Sequence, residues 1–253
     1  FVRHQPDPRK HGPLAERVAL WHLCTYSGRM SEDAKARLAK VVSGIERAAR
    51  LAGRSPNDVT LIAISKTQDA EAIRPLIALG HRCFGENRVQ EAYGKWPALR
   101  EEFPDIELHF VGQLQSNKAD EAVALFDIIH SVDRPSLVTA LARAQMKTGR
   151  QPSFFIQVNI GDEPQKGGCS LADLPDLATQ ARAAGLNVKG LMAVPPEGVE
   201  AAPYFALLAK LARENGFDAL SMGMTADFET AVMLGATHVR IGSALFGARG
   251  SPH

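Results

Sequence analysis

The sequence predicts an α/β protein built as a single-domain (β/α)8 TIM barrel. Three observations carry this. Short apolar runs of strand character alternate with helical patterns eight times, and such alternation implies parallel pairing. A glycine closes most of the helical stretches. No GxGxxG turn follows the first strand, the usual cue of the open doubly wound alternative. The length agrees, since 253 residues is close to the roughly 250 typical of one such barrel.

Residues 1 to 30 precede the pattern. They hold Pro6, Pro8, Pro13, His4, His11 and His22, and only Leu14–Leu23 shows periodicity. They are expected to be an N-terminal extension, disordered or left over from cloning. Met30 is followed by Ser31-Glu32-Asp33, which reads as a helix N-cap with an acidic first turn. The barrel domain is therefore expected over residues 31–249, opening with a helix over 32–52 whose apolar positions Leu38, Val41, Val42, Ile45, Ala48 and Ala49 recur at helical spacing.

The repeats then follow. Thr60–Ser65 is a continuous apolar run, as in a strand covered on both faces, and helix 70–79 ends at Gly80. Strand 83–85 precedes helix 89–99. Strand 108–112 precedes helix 118–125. Strand 128–131 precedes helix 135–147, stopped by Gly149. Strand 154–159 precedes helix 171–184, stopped by Gly185. Strand 188–193 precedes helix 201–214, stopped by Gly216. Strand 219–222 precedes helix 226–234, stopped by Gly235. Strand 238–241 comes last, leaving only 242–247 for a final short helix.

Composition narrows the function classes. Hydrophobic residues make up 45% and charged residues 23%, which supports a full core. Lys plus Arg number 29 against 28 acidic residues, a net charge of +1. That balance offers no bulk attraction to nucleic acid or an anionic membrane. No apolar run approaches the roughly 18 residues of a membrane span. Cys24, Cys83 and Cys169 are odd in number and widely spaced, with no CxxC pair. Neither a disulfide framework nor a cysteine-spaced metal site is expected, and reduced thiols are. The polar, Pro-rich start has no apolar segment of a secretory signal, so a cytoplasmic location is expected.

Chemistry in such a barrel sits where strands end. The first strand ends in Ser65-Lys66-Thr67. Burial at a barrel mouth would favour the neutral amine of Lys66, the nucleophile of Schiff-base chemistry; a lysine that merely snorkels to solvent is the plainer alternative. Asn87, after the second strand, suits a helix cap or a ligand oxygen. Lys118 follows the third strand, and the fifth leads into a loop holding Lys166-Gly167-Gly168-Cys169. Met192 ends the sixth, where core packing is the plainer role. The seventh runs into Ser221-Met222-Gly223-Met224-Thr225 and the eighth into Arg240-Ile241-Gly242-Ser243. Barrels often bind phosphate with these last two loops and the start of a short helix. Glycine lets backbone N–H groups approach an anion there, although Gly and Ser also serve plain turns. A lysine facing a phosphate cup suggests a phosphorylated carbonyl compound held at both ends, and pyridoxal phosphate fits.

At this point the chain resembles the pyridoxal-phosphate homeostasis proteins, which share their barrel with the N-terminal domain of alanine racemase. The likeness covers about Ser31 to Arg249. It rests on Leu61–Thr67, Phe84–Glu91, His109–Lys118, Gly190–Met192, Ser221–Met224 with Asp227, and Val239–Gly247. It implies pyridoxal 5'-phosphate as cofactor, held as an internal aldimine on Lys66. It also implies Asn87 near the ring and Ser221, Gly242 and Ser243 around the phosphate, with Met192, Met222 and Gly223 among the cofactor-binding residues. By similarity to alanine racemase, Arg240 faces the pyridine nitrogen. A guanidinium offers no acceptor and stays charged, so it would leave that nitrogen unprotonated and the ring a weak electron sink.

Racemases carry a second domain that supplies a catalytic tyrosine. Tyr26, Tyr93 and Tyr204 do not lie in a matching segment, so one of two acid/base groups lacks a source. The expected function is therefore cofactor homeostasis without catalytic residues. A single-domain racemase is the alternative, and a barrel aldolase or isomerase using Lys66 on a sugar phosphate is a third. Expected partners are the cofactor and the apoenzymes that receive it, with the chain a monomer or weak dimer.

Overall fold

The computed structural model describes residues 14–247, with side chains from Glu32 onward. Residues 1–13 and the domain end at Arg249 lie outside the described residues. Eight parallel strands close on themselves in sequence order. They are β1 (Thr60–Ile64), β2 (Cys83–Glu86), β3 (Glu107–Phe110), β4 (Ile128–Val132), β5 (Ser153–Gln157), β6 (Asn187–Met192), β7 (Ala219–Ser221) and β8 (His238–Ile241). β1 seals the barrel against β8, with Ile62 opposite Arg240 and Ala63 opposite Ile241.

The helices are α1 (Leu14–Leu51), α2 (Ala70–Ala78), α3 (Val89–Tyr93), α4 (Trp96–Glu102), α5 (Ala119–Leu125), α6 (Pro135–Thr148), α7 (Leu174–Ala183), α8 (Ala202–Glu214), α9 (Phe228–Met233) and α10 (Ser243–Phe246). Two expectations are corrected. Ser31 is not an N-cap, because α1 runs through it without a break from Leu14. The helix expected over 89–99 is two helices. Pro97 lies in the first turn of α4, and proline has no N–H with which to continue a helical ladder from upstream, so a helix starts there.

The buried face of α1 is Ala34, Val41, Ile45, Ala48 and Ala49, at the spacing the sequence shows. It lies against α9 and α10, and Arg37 Nε donates to Leu245 O at 2.7 Å. At the end of α6, Gly149 takes φ +70° and donates its N–H to Gln145 O, a left-handed cap that any side chain would strain.

The barrel interior is less aliphatic than usual for the fold. His130 stacks on Phe155 at 4.4 Å between centroids, and the His109 and His238 rings pack beside it. Ser221 and Arg240 are buried above them. Burial holds His130 well below the usual histidine range and His238 down at about 4, so both rings are neutral in the folded protein.

Gly190 lies where β6 meets β7. A Cβ there would stand 1.9 Å from the Ala219 carbonyl oxygen, and backbone cannot yield as a side chain can. Gly190→Ala is expected to destabilise the barrel by about 3 kcal/mol or more, at the top of the overpacking range. Urea unfolding checks this, and a variant as stable as the parent refutes it.

Candidate functional site

A cavity of about 710 Å³ opens at the C-terminal ends of the strands, within the range of small-ligand sites. Its lining includes Lys66, Asn87, Thr225, Arg240, Gly242 and Ser243.

Lys66 follows β1 on a loop whose next residue, Thr67, takes φ +64°. Such a conformation in a non-glycine residue costs free energy and persists only where surroundings impose it. Here the Thr67 N–H donates to Glu91 Oε1 at 2.5 Å. Lys95 Nζ donates to Ser65 O and Gln68 O, each at 2.9 Å, clamping the loop from both sides. Lys95 pairs in turn with Glu86 at 2.8 Å, a carboxylate with no solvent exposure. Glu86 also accepts from Ser65 Oγ at 2.6 Å and Trp96 Nε1 at 3.0 Å. The segment after β2 therefore anchors the loop after β1. Sequence reasoning missed Glu86, Glu91 and Lys95 as supports, although the break before Trp96-Pro97 was a signal, since it turns Lys95 and Trp96 onto one partner.

Lys66 itself is exposed at the rim. The structure therefore gives the lysine that snorkels to solvent and not the buried one. It has no ion-pair partner among the described residues, unlike Lys118, which pairs with Glu121 at 2.7 Å, and Lys166, which pairs with Glu163 at 2.6 Å.

Arg240 forms the floor. It is 5% exposed. Its Nη1 donates to Ser221 Oγ at 2.7 Å and its Nη2 to Ala193 O at 2.9 Å. Burial lowers its guanidinium to about 10, so it is still charged at neutral pH. The adjoining wall comes from the last two loops. Ser243 Oγ donates to Thr225 Oγ1 at 3.3 Å. The backbone bonds of α10 begin with the Leu245 N–H onto Gly242 O, and the N–H groups at a helix start have no intrahelical partner. Because β8 pairs with β1, this wall stands beside Lys66 and not across the barrel from it.

A sequence model of the alanine racemase N-terminal domain matches residues 37–250. A pyridoxal phosphate homeostasis protein of Pseudomonas aeruginosa is 44% identical over 221 residues, covering 84% of this chain and 94% of that protein. The chain belongs to the pyridoxal phosphate homeostasis family. The member from Escherichia coli is 40% identical over 222 residues, covering 84% of this chain and 95% of its own length. Among solved structures, PipY of Synechococcus elongatus with pyridoxal phosphate bound superposes with a TM-score of 0.68. It is 40% identical and covers 81% of this chain and all of its own. Alanine racemase of Streptomyces coelicolor, 19% identical, matches with a TM-score of 0.63 over 87% of this chain and 59% of its own. It shares the fold.

Of the residues that the family likeness implies, the structure brings Lys66, Asn87, Arg240, Gly242 and Ser243 to one cavity. Ser221, Met192, Met222 and Gly223 are not on its lining. Ser221 is buried with its hydroxyl on Arg240 and on His130 Nδ1 at 2.9 Å, so the structure places it beneath the guanidinium and not on the cavity lining. The reason is depth: Ser221 is the last residue of β7 and points into the barrel, whereas Thr225 lies far enough along the loop to reach the rim. Met192 is a core side chain, as its chemistry alone suggested, and Met222, expected among the cofactor-binding residues, is buried in the core as well. A Cβ on Gly242 would meet Ile64 only at an ordinary 3.5 Å, so space below does not demand glycine there. Burial pushes the Cys169 thiol up to about 12, which leaves it protonated and inert.

Proposed function

We propose that this chain holds pyridoxal 5'-phosphate covalently on Lys66 and keeps it available to other proteins, without a substrate reaction of its own. The observation that carries this is one cavity lined by three kinds of group, each suited to one end of that cofactor. The Lys66 amine would hold the aldehyde end. Thr225, Ser243 and the N–H groups opening α10 suit the phosphate. The charged Arg240 beneath suits a ring nitrogen that accepts a hydrogen bond, with Ser221 and Ala193 O fixing the guanidinium. Asn87, on the same lining, would stand beside the ring. The names of the relatives and the pyridoxal phosphate in PipY support the same reading. When bound, the cofactor supplies an electron-withdrawing ring, and a guanidinium at its nitrogen weakens that property.

The reading is a holder and not a racemase, because no tyrosine among the described side chains lines the cavity. Tyr93 donates to Glu121 O on the outer surface. The unit at residues 31–249 carries the function, with apoenzymes as recipients. Borohydride reduction followed by peptide mapping tests the site: the pyridoxyl label is expected on the peptide containing Lys66, with racemisation of an amino-acid panel at background. Turnover that follows the protein through purification and is lost in Lys66→Ala overturns the holder assignment.

The cup is tested separately. Hydrogen bonds to a charged group contribute about 1.5–3 kcal/mol each, so Thr225→Ala or Ser243→Ala is expected to weaken pyridoxal phosphate binding roughly ten- to a hundredfold. Pyridoxal without phosphate should bind the parent far more weakly and be nearly insensitive to either change. Equal affinity for the two compounds would refute the cup.

A further inference from the structure

We propose that Cys83, Glu107 and His109 form a binding site for a divalent metal ion of the zinc class at the foot of the barrel, at the opposite end from the cofactor cavity. Cys83 begins β2 and Glu107 begins β3, and the two are register partners. His109 lies two residues on from Glu107, so both side chains project from the same face of β3. The strand starts thus deliver a thiol, a carboxylate and an imidazole to one point.

The spacing suits a metal. Cys83 Sγ is 3.1 Å from His109 Nε2 and 3.7 Å from Glu107 Oε1, and Nε2 is 2.9 Å from Oε1. Tetrahedral zinc, with Zn–S about 2.3 Å and Zn–N or Zn–O about 2.0 Å, sets neighbouring ligand atoms roughly 3.3–3.5 Å apart. The three observed edges bracket that value, so closure onto an ion needs only shifts of a few tenths of an ångström. The donor set is mixed sulfur, nitrogen and oxygen, which favours zinc, cobalt or copper over magnesium or calcium. On binding, the thiol proton leaves to solvent, and thiolate plus carboxylate balance the two positive charges. Glu107 is about half exposed whereas His109 is fully buried, which gives an ion a way in and leaves a fourth position to water.

The outer contacts agree. A metal-ligating histidine usually donates its other ring N–H to a fixed acceptor. His109 Nδ1 lies 2.8 Å from His130 Nε2, and His130 Nδ1 lies 2.9 Å from Ser221 Oγ. With Nε2 on a metal, Nδ1 carries the proton and donates to His130, which then donates to Ser221, the hydroxyl that accepts from Arg240. Without a metal, Nε2–H donates to Glu107 and that chain runs the other way. Occupancy at the foot thus sets the direction of hydrogen bonds up to the floor of the cofactor cavity. Sequence spacing gave no sign of this site, because its ligands come from two strands and only meet on folding.

Cobalt titration of the EDTA-treated full chain tests the proposal. One equivalent of Co²⁺ should produce a thiolate-to-cobalt charge-transfer band and the intense visible bands of tetrahedral cobalt, both bleached by Zn²⁺. Cys83→Ser should lose the charge-transfer band and Glu107→Gln should lose tight binding, each with an unchanged far-ultraviolet circular dichroism spectrum. Cys24→Ser and Cys169→Ser should keep the full spectrum. The proposal is overturned if the parent develops no thiolate band, if Cys83→Ser keeps it, or if it disappears with Cys24. Should Cys83→Ser fail to fold, Glu107→Gln alone decides the matter, since retention of tight cobalt binding there refutes the site.

Discussion

Lys66→Ala is expected to yield a folded, colourless protein that takes up no pyridoxyl label on borohydride reduction. The effect should be complete and not partial, because a covalent link either forms or does not. The nearby amines offer no substitute: Lys118 and Lys166 are tied to Glu121 and Glu163, and Lys95 Nζ is held by Glu86, Glu91 and two backbone carbonyls. Stability should change little, since Lys66 is exposed and lacks an ion pair among the described residues. Lys66→Arg should be equally colourless, as arginine retains the charge but does not deprotonate to a nucleophile. Thr225, Ser243 and Arg240 remain in both variants, so equilibrium dialysis should still detect weak, reversible binding of the cofactor. Retained yellow colour with the label moved to Lys118 or Lys166 would refute Lys66 as the attachment point and leave the cavity without its nucleophile.

How much of this was legible beforehand depends on the distance over which each feature is encoded. β1 was placed within a residue by its continuous apolar run, β8 as the short segment left after Gly235, and the stops at Gly149 and Gly235 by local backbone chemistry. Lys66, Arg240 and Gly242 were visible because strand ends are fixed by the same local patterns. The depth of a side chain was not visible. Ser221 ends β7 and Thr225 follows it, both small hydroxyl residues, and only the closed barrel shows that one is beneath Arg240 and the other at the rim. Ser31 carried a valid capping signal, yet α1 runs on through it from Leu14. The cluster at Cys83, Glu107 and His109 and the support at Glu86 and Lys95 depend on contacts between strands, or between a strand and a later helix start. Periodicity along one segment carries no information about either.

The largest effect on stability is expected from Lys95→Met. The Lys95 side chain is 8% exposed and that of its partner Glu86 not at all. Removing one member of such a pair leaves an uncompensated buried charge, at about 3–5 kcal/mol. Ser65 Oγ and Trp96 Nε1 would still donate to Glu86, but two neutral donors do not replace a cation. The double variant Glu86→Gln/Lys95→Met should recover much of the loss, because no charge is then stranded, and the non-additivity would measure the pair. The same lysine clamps Ser65 O and Gln68 O around Lys66. Lys95→Met should therefore weaken cofactor retention at temperatures where the variant is still fully folded, whereas a surface change such as Lys210→Met should do neither. Urea unfolding gives the first quantity and the rate of cofactor loss to an acceptor amine gives the second. A destabilisation under 1 kcal/mol would show that the pair contributes no more than a surface ion pair. Normal retention in a measurably destabilised variant would show that the strained turn at Thr67 is held by Glu91 alone.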